Sequence, residues 1–169
     1  MKRQRKSKMK KFDQIAEFGQ KLMTLKNTEH ALELISDEAK SLVHADRCSI
    51  FIVDKEDKML WSKLSDGIGR IVISLDSGIV GDTYTQREPQ IVNNPYEDER
   101  FLQNIDKKSG YKTENMVTVP IFDSKRNVMG IIQLLNKSRF DFDQEDLEML
   151  TFFANYVSGS LELALLKEG

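Results

Sequence analysis

The sequence predicts an α+β domain built around one central antiparallel sheet. The chain begins with two helical patterns, continues with strand patterns that surround an irregular middle, and closes with one long helical pattern. This segregation of helices and strands is typical of an antiparallel sheet that carries its helices on one face. The predicted strands are apolar on both sides, so we expect the irregular middle to cover the other face.

Length and composition indicate one globular domain. The chain has 169 residues and 40% hydrophobic content, enough to fill one core. Charged residues make up 31% of it and the formal net charge is −2, which argues against a general polyanion-binding surface. We expect no membrane span, because no apolar run approaches the roughly 20 residues required, and no signal peptide. Cys48 is the one cysteine, which favours a reducing, cytoplasmic location.

The first eleven residues are strongly basic, and two interpretations of them stay open. They suit an arm for nucleic acid or anionic lipid, or a solvated lead-in to a helix. We predict the lead-in, with no nucleic-acid partner, so residues 1–11 form a linker and 12–169 one domain. Helical spacing of apolar residues predicts a first helix over 12–26. A second helix is predicted after a cap at Asn27-Thr28, and its apolar residues run from Ala31 to Val43. The two histidines, His30 and His44, lack metal-site spacing and are predicted to be ordinary helix-surface residues.

The rest of the chain shows strand patterns and two further helices. Short runs of branched apolar residues predict six strands, at Arg47–Asp54, Met59–Leu64, Arg70–Leu75, Gln90–Val92, Met116–Phe122 and Val128–Leu135. A short helix is expected from Asp76 to about Thr85. The segment Asn93–Thr113 is expected to be a long loop with a short helix near Glu99–Ile105, and loops of this length are usually functional or disordered. The closing helix is expected over Asp143–Lys167.

The corner between the last strand and the closing helix contains residues suited to fixing its geometry. Asp143 is a good N-cap, and the acids beside it suit the positive end of a helix. Lys137 and Asp146 are close enough in sequence to form an ion pair, which would fix geometry more than it adds stability. The pattern alone is equally compatible with an ordinary corner and solvated charges.

Two isolated polar residues interrupt the apolar strands. Alternation places Ser49 beside Phe51 on one face of the first strand, and Gln133 beside Ile131 on one face of the last. Buried without partners, each polar group would cost about 1–3 kcal/mol. Either loop backbone or a polar ligand must therefore satisfy them, and the residues alone favour the backbone.

The corner motif resembles the Asn-Lys-Phe-Asp-Glu signature of GAF domains, regulatory modules of cyclic-nucleotide phosphodiesterases and some bacterial cyclases. The matching residues are Asn136, Lys137, Phe142 and Asp146, with Leu147 in place of the final Glu. Further matches follow in order at Ala45–Phe51, Ser77–Gly81, Asn93–Tyr96, Arg100-Phe101 and Asp106–Thr113. The resemblance extends over roughly residues 28–166 and is closest to the phosphodiesterase type. It implies a GAF-like fold in which the motif supports a pocket between the sheet and the irregular segment.

The resemblance also implies a ligand, a cyclic purine nucleotide such as cyclic AMP or cyclic GMP, and no cofactor. Eight positions would line its site: Ser49, Asp66, Ile79, Val80, Asp106, Ser109, Thr113 and Gln133. Ser49 and Gln133 would face the base and Asp66 would contact the purine. The backbone at Ile79 and Val80 would approach the phosphate at a helix N-terminus.

The sequence departs from the family pattern at three positions where the purine base of the ligand would bind. Gln133 replaces the acid more usual in cyclic-GMP pockets, and Leu102 and Ser65 stand where aromatic residues can stack. Losing stacking would weaken binding by about 1–3 kcal/mol for each ring. A GAF-fold module for dimerisation and signal transmission, with a pocket unsuited to purines, is therefore the alternative function.

We predict a regulatory domain and not an enzyme. The sequence shows no nucleophile with a nearby base and no Gly-rich, Lys-containing phosphate loop. A parallel homodimer is expected through the terminal helices. The closing helix carries three apolar residues off its main stripe, Phe152, Leu163 and Leu166. The first helix adds Phe12, Phe18 and Leu22, and together these residues would form a patch larger than soluble monomers normally expose. A ligand-driven change would then pass through these helices to an effector outside this chain.

Overall fold

The computed structural model describes residues 1–25, 27–65 and 69–168. Helices in this part of the chain are α1 (Lys2–Met23), α2 (Thr28–Val43), α3 (Gly78–Gln86), α4 (Gln103–Ser109) and α5 (Gln144–Glu168). Strands are β1 (Ala45–Asp54), β2 (Met59–Ser65), β3 (Val72–Ser74), β4 (Gln90–Val92), β5 (Met116–Phe122) and β6 (Val128–Lys137). A 3₁₀ turn spans Pro95–Glu97.

The strands form a single antiparallel sheet in the order β3-β2-β1-β6-β5-β4. The two longest strands, β1 and β6, lie at its centre and place Ser49 opposite Gln133. Thr118 of β5 lies on the other side of Gln133. The predicted α+β fold with a central antiparallel sheet is therefore confirmed, and so is the placement of the two isolated polar residues on one face.

Three helices lie on the face of the sheet opposite Ser49 and Gln133, and they form two layers. Helices α2 and α5 pack on the sheet and build the main core with β1, β5 and β6. Helix α1 packs mainly on α5 and α2, where the Phe18 ring lies 5.4 Å from that of Phe153. The prediction that the terminal helices share one side of the sheet is thus correct, with α1 one layer further out.

Helix α1 begins ten residues earlier than predicted. Residues 2–11 were expected to form a linker but continue the helix, because Lys, Arg and Gln are good helix formers. Residues 1–10 are exposed, so tertiary packing does not hold this part of the helix. Thr24 ends the helix, which corrects the predicted end at residue 26.

Helix α4 and strand β3 also differ from the prediction. Helix α4 lies four residues later than expected, because Asp98 captures the backbone N–H and the guanidinium of Arg100 in a turn that precludes a helix at Glu99. Strand β3 is limited to Val72–Ser74, shorter than the predicted Arg70–Leu75. Strands β4 and β5 have the predicted bounds.

The corner before α5 has the predicted ion pair. Lys137 Nζ lies 2.5 Å from Asp146 Oδ2, and the two side chains are 15% and 7% exposed. Asp143 and Asp146 also cap α5 reciprocally, since each backbone N–H donates to the other's carboxylate. The N–H of Asp146 lowers the pKa of Asp143 below its ordinary value.

The signature residues at this corner hold both ends of the irregular segment. The side-chain amide of Asn93, where the segment begins, bonds the backbone N–H and C=O of Phe142 at 3.1 Å. Asn136 accepts from the N–H of Glu114 at 2.6 Å and donates to the carbonyl of Lys112 at 2.9 Å, where the segment ends. The motif therefore positions the segment that covers the sheet.

Helix α5 is long and apolar enough to cross a membrane by length and composition alone. The prediction that no stretch has these properties was therefore wrong. About 33% of its most apolar window is buried in this chain, where Phe153, Ala154 and Val157 pack in the core. Core helices of soluble proteins pass the same test, so the finding is weak support for a span.

Gly130 in β6 is predicted to be required for the close approach of β6 to β1. A Cβ at this position would lie 2.8 Å from the carbonyl oxygen of Phe51 in β1, and backbone atoms cannot move away without disturbing the sheet. We expect Gly130→Ala to lower the free energy of unfolding by about 1–3 kcal/mol in urea titrations. Gly159→Ala is the control, because its Cβ would meet nothing within 4 Å. Equal stability of the two variants would contradict this account of Gly130.

Candidate ligand-binding site

A cavity lies between the sheet and residues 93–113, which we call the lid. The cavity volume is about 60 Å³, enough to hold a few water molecules. Its lining is mainly apolar and comes from the sheet and the lid: Phe51, Ile71, Ile73, Phe101, Leu102, Ile105, Met116 and Leu135. The predicted cover over the second face of the sheet is therefore present.

The structure brings six of the eight predicted site residues to this cavity. They are Ser49, Ile79, Val80, Asp106, Thr113 and Gln133. Ser109 does not line the cavity, because its hydroxyl lies in the turn after α4, where it donates to the Asp106 carbonyl and accepts from the N–H of Tyr111. Asp66 lies outside the described residues.

Ser49 and Gln133 differ in how their polar groups are satisfied. The hydroxyl of Ser49 lies 2.9 Å from that of Ser65, which also lines the cavity. Gln133 is half-buried, and no described residue forms a hydrogen bond with its side-chain amide. The hydroxyl of its neighbour Thr118 bonds that of Thr83 at 2.6 Å and makes no bond with the amide. The amide of Gln133 therefore has a donor and an acceptor available at the cavity.

Arg47 is a cavity residue that the sequence prediction missed. Its guanidinium carbon lies 3.8 Å from the centre of the Tyr111 ring of the lid. Its Nη1 is buried and has no hydrogen-bond partner among the described residues. Arg47 precedes Ser49 by two positions in β1, so extending the predicted alternation by one step would have found it.

The lid residue Tyr111 is itself held in place. Its hydroxyl donates to Asp46 Oδ2 at 2.8 Å. Burial, followed by this hydrogen bond, raises the pKa of Tyr111 above its ordinary value. Tyr111 therefore stays neutral and covers Arg47 without neutralising it.

The start of α3 supplies backbone donors at the cavity wall. Ser77 makes no side-chain cap, and the first intrahelical bond runs from Gly81 to Ser77. The N–H groups of Gly78, Ile79 and Val80 therefore have no acceptor within the helix. All three residues line the cavity. Donors at the positive end of a helix favour an anionic group.

Asp106 fastens the end of the lid. Its carboxylate accepts from the Tyr96 hydroxyl at 2.6 Å, from the Thr113 N–H at 2.7 Å and from the Thr113 hydroxyl at 2.8 Å. The bond to Asp106 raises the pKa of Tyr96 to about 12. Asp106 and Thr113 thus line the cavity while their polar groups serve the lid.

A second cluster fastens the lid to α3. Arg100 in the lid donates from Nη1 to Asp82 Oδ2 at 2.7 Å and to Gln90 Oε1 at 2.6 Å, and from Nη2 to Asp98 at 2.7 Å. The Gln90 amide lowers the pKa of Asp82, and Arg100 lowers that of Asp98. Leu102 lies beside Gly78, where a Cβ would approach it to 3.0 Å. The lid thus closes directly on the start of α3.

Removing the Asp106 carboxylate is predicted to loosen the lid. Asp106→Ala leaves the Tyr96 hydroxyl and two Thr113 donors without acceptors, and each of the two buried Thr113 donors costs about 1–3 kcal/mol. The sequence predicts only weaker ligand binding for this change, whereas the structure adds a loss of stability. We expect faster hydrogen exchange in residues 93–113 and a lower melting temperature.

Ser109→Ala is the matched control for this test. It removes a hydroxyl from the same segment that takes part in two bonds of 3.2 Å in a turn. We expect little change in exchange across the lid. Equal exchange in both variants would show that Asp106 does not fasten the lid.

Comparisons with known proteins agree with this architecture. The family model described as "GAF domain" matches residues 27–161. A "Probable 3',5'-cyclic phosphodiesterase pde-5" of Caenorhabditis elegans is 31% identical over 142 residues, which cover 76% of this chain and 19% of that protein. A "Dual 3',5'-cyclic-AMP and -GMP phosphodiesterase 11A" of Takifugu rubripes is 31% identical over 168 residues, 86% of this chain and 18% of that protein. The chain thus spans about a fifth of the length of these curated relatives.

Solved structures share the fold at lower identity. The GAF domain of a phosphoenolpyruvate-protein phosphotransferase from Coxiella burnetii superposes with a TM-score of 0.83 at 18% identity, over 95% of this chain and 97% of that chain. The corresponding domain from Acinetobacter gives a TM-score of 0.78 at 21% identity, over 94% and 96%. With the family match over most of the sequence, these results show that the chain belongs to the GAF domain family.

Proposed function

We propose that this GAF domain, a regulatory module that binds small molecules, takes a cyclic purine nucleotide beneath the lid. Occupancy would pass through the terminal helices to an effector outside this chain. The observation that carries the proposal is the buried Arg47 Nη1, which has no partner among the described residues. A buried polar atom on a charged group is costly unless a hydrogen bond satisfies it. A ligand acceptor at the cavity would supply that bond.

The other polar groups suit a ligand with an anionic part and a base. Free N–H groups at Ile79 and Val80 favour a phosphate. The Gln133 amide offers a donor and an acceptor, so it can pair with the edge of either adenine or guanine. The hydroxyls of Ser49 and Ser65 add short-range contacts beside it. Two of the relatives are phosphodiesterases of cyclic nucleotides by name, which supports the same class of ligand.

The closed cavity is too small for such a ligand, so binding requires the lid to move. Ligand pockets typically measure roughly 300–1,000 Å³, whereas this cavity measures about 60 Å³. The lid is fastened by polar contacts at Asp106 and Arg100 and by the Leu102 contact with Gly78, and hydrogen bonds of this kind can open reversibly. The ligand would enter by displacing Leu102 from Gly78.

The same small, mainly apolar cavity favours one alternative. In that alternative the domain serves dimerisation and signal transmission, and its pocket takes no purine or holds an unrelated small ligand. The two functions differ in one measurable property, the effect of nucleotides on stability. A ligand at 100 times its dissociation constant stabilises a folded protein by about 2.7 kcal/mol.

Thermal unfolding with a nucleotide panel tests the proposal. The purified domain is heated with cyclic AMP, cyclic GMP, cyclic dinucleotides and, as the control, linear AMP. A rise in melting temperature that saturates with one cyclic mononucleotide supports the proposed function. No shift with any of them at millimolar concentration would contradict it and favour the alternative.

The proposed homodimer uses an apolar surface that this chain leaves exposed. Phe18 and Leu22, expected to contribute, are instead buried against the chain's own helices. The rest of the predicted surface stays accessible, together with one tyrosine: Phe12, Phe152, Tyr156, Leu163 and Leu166. The ring centres of Phe12 and Phe152 lie 5.0 Å apart and Phe152 stacks on Tyr156, so α1 and α5 share an apolar patch at these three rings. Pairing of two such patches across a two-fold axis would bury it.

Sedimentation equilibrium decides the oligomeric state. A dimer at tens of micromolar that Phe152→Ser converts to a monomer supports the proposed helix pairing. A wild-type monomer at this concentration would contradict the proposed dimer.

The cytoplasmic location is also a proposal, resting on the lack of a second cysteine for a disulfide.

A further inference from the structure

Strand β2 contains a β-bulge at Lys63. Ile50 of β1 pairs with Leu64, but the next residue, Phe51, pairs with Ser62, so Lys63 is the extra residue between them. A bulge re-aims a side chain that regular alternation would place elsewhere. Lys63 consequently lies on the helix side of the sheet, with Nζ 5.0 Å from the centre of the Trp61 ring.

The re-aimed lysine holds the end of α5. Lys63 Nζ lies 2.6 Å from Glu168 Oε2, and its side chain is only 16% exposed. Glu168 is the last residue of the helix, where a negative charge meets the negative end of the helix dipole. The Lys63 cation therefore offsets the unfavourable interaction of this carboxylate with the helix end.

Few other contacts fasten this end of the helix. Leu161 is its last fully buried residue, and Leu165 is only partly buried against the core. Glu162 accepts from the N–H and hydroxyl of Ser124 at 2.9 and 2.7 Å, six residues before Glu168. Beyond Leu165, the Lys63 ion pair is thus the main attachment among the described residues.

The same strand reaches the cavity two residues further on. Ser65 lines the cavity, and its hydroxyl is bonded to that of Ser49 in β1. A ligand that accepts hydrogen bonds from both hydroxyls must break this bond, because each hydroxyl has a single proton. The end of β2 would then keep its backbone pairing with β1 but lose this side-chain bond, and the bulge beside it carries Lys63.

We propose that the Lys63–Glu168 ion pair couples the cavity to the last turn of α5. Loss of the Ser49–Ser65 bond shifts β2, withdraws Lys63 from Glu168 and loosens that turn. The role of a ligand in this coupling rests on the proposed function, but the coupling itself does not require one. The Glu168 side chain is 39% exposed, and ion pairs in contact with solvent are weak, so we expect a change of about two- to fivefold in the population of the ordered turn.

A double-mutant cycle without ligand tests the coupling. Amide ¹⁵N relaxation and chemical shifts of residues 162–168 are measured in the full 169-residue chain and in Ser65→Ala, Lys63→Met and the double variant. We expect each single variant to increase fast motion in the last turn, and the double variant to add nothing further. Lys107→Met, on the exposed surface of α4, is the control and should leave these amides unchanged.

A charge exchange separates the ion pair from general packing. Lys63→Glu with Glu168→Lys restores a pair and places a cation at the helix end, so it should restore order in the last turn. Unchanged amides in Ser65→Ala, additive effects in the double variant or failure of the exchange would each overturn the coupling. Cyclic AMP is added last. If it binds, it should loosen the last turn of α5 in the wild-type domain, and it should cause no further loosening in Lys63→Met. This pair of results supports the coupling.

The two proposals fail in different ways. A domain that binds no nucleotide but gives the non-additive cycle keeps the coupling and loses the proposed ligand. A domain that binds cyclic AMP but gives an additive cycle keeps the ligand and loses the coupling.

Discussion

Replacing Lys137 with methionine is expected to destabilise the domain by about 3–5 kcal/mol, because it leaves a buried carboxylate without its cation. Asp146 is 7% exposed and lies 2.5 Å from Lys137 Nζ. Its remaining bond comes from the N–H of Asp143, which does not neutralise the charge. Since this corner also positions both ends of the lid, the loss should appear as global unfolding at lower urea.

An exposed ion pair elsewhere provides the control. Lys112 lies 3.8 Å from Glu114, and their side chains are 74% and 64% exposed. Lys112→Met should change stability by at most about 1 kcal/mol. If both lysine variants shift the urea midpoint equally, burial of the Lys137 pair has no special role.

The same corner predicts a loss of stability in acid. The pKa of Asp143 is lower in the folded protein than its ordinary value of 3.8. A carboxyl group with a lowered folded pKa stabilises fully above the unfolded value, and this contribution is lost as pH falls through the folded pKa. The unfolding free energy should therefore decline below about pH 4, and less steeply in Asp143→Asn.

Replacing Arg47 with methionine is expected to abolish most ligand affinity while leaving the free domain as stable as wild type. Truncating one member of a buried, hydrogen-bonded charge pair costs about 2–5 kcal/mol, which corresponds to roughly 30-fold to several thousandfold in affinity. Without ligand, Arg47 Nη1 has no partner among the described residues, so the variant removes a desolvation cost. This gain offsets the lost stacking on Tyr111, about 0.5–2 kcal/mol.

This combination distinguishes a binding residue from a structural one. A structural arginine would lower the melting temperature of the free domain when it is removed. Arg70→Met is the control, since Arg70 stacks on the Trp61 ring at 4.6 Å but does not line the cavity. It should leave affinity unchanged. A large drop in stability of Arg47→Met, with affinity retained, would show that Arg47 only fastens the lid through Tyr111.

Much of the fold was predictable because hydrophobic periodicity sets the elements. Strands β4 and β5 have their predicted bounds, and the ion pair of Lys137 with Asp146 follows from the spacing of strand end and helix start. The basic start of α1 was not predictable from apolar periodicity, because intrinsic propensity forms this part of the helix. The burial of Phe18 and Leu22 depends on how α1 folds back on α5, which periodicity does not determine.

The candidate site was predictable only in part. Alternation places Ser49 and Gln133 each on one face of its own strand, and the pairing of β1 with β6 brings them together. Arg47 was missed because a charged residue at a strand start normally lies in solvent, and its burial depends on Tyr111, 64 positions away. The role of Lys63 depends on a bulge, and a bulge is a property of register between two strands.

Nuclear magnetic resonance of the Arg47 guanidinium during nucleotide titration tests the central claim most directly. The side-chain ¹⁵N signals of Arg47 are followed while cyclic AMP or cyclic GMP is added to the wild-type domain. If the cavity binds a cyclic nucleotide through Arg47, these signals shift and saturate with one of the two nucleotides, with the same dissociation constant as the thermal shift. Arg47 signals that stay unchanged up to millimolar concentrations of both nucleotides would contradict the proposed ligand site.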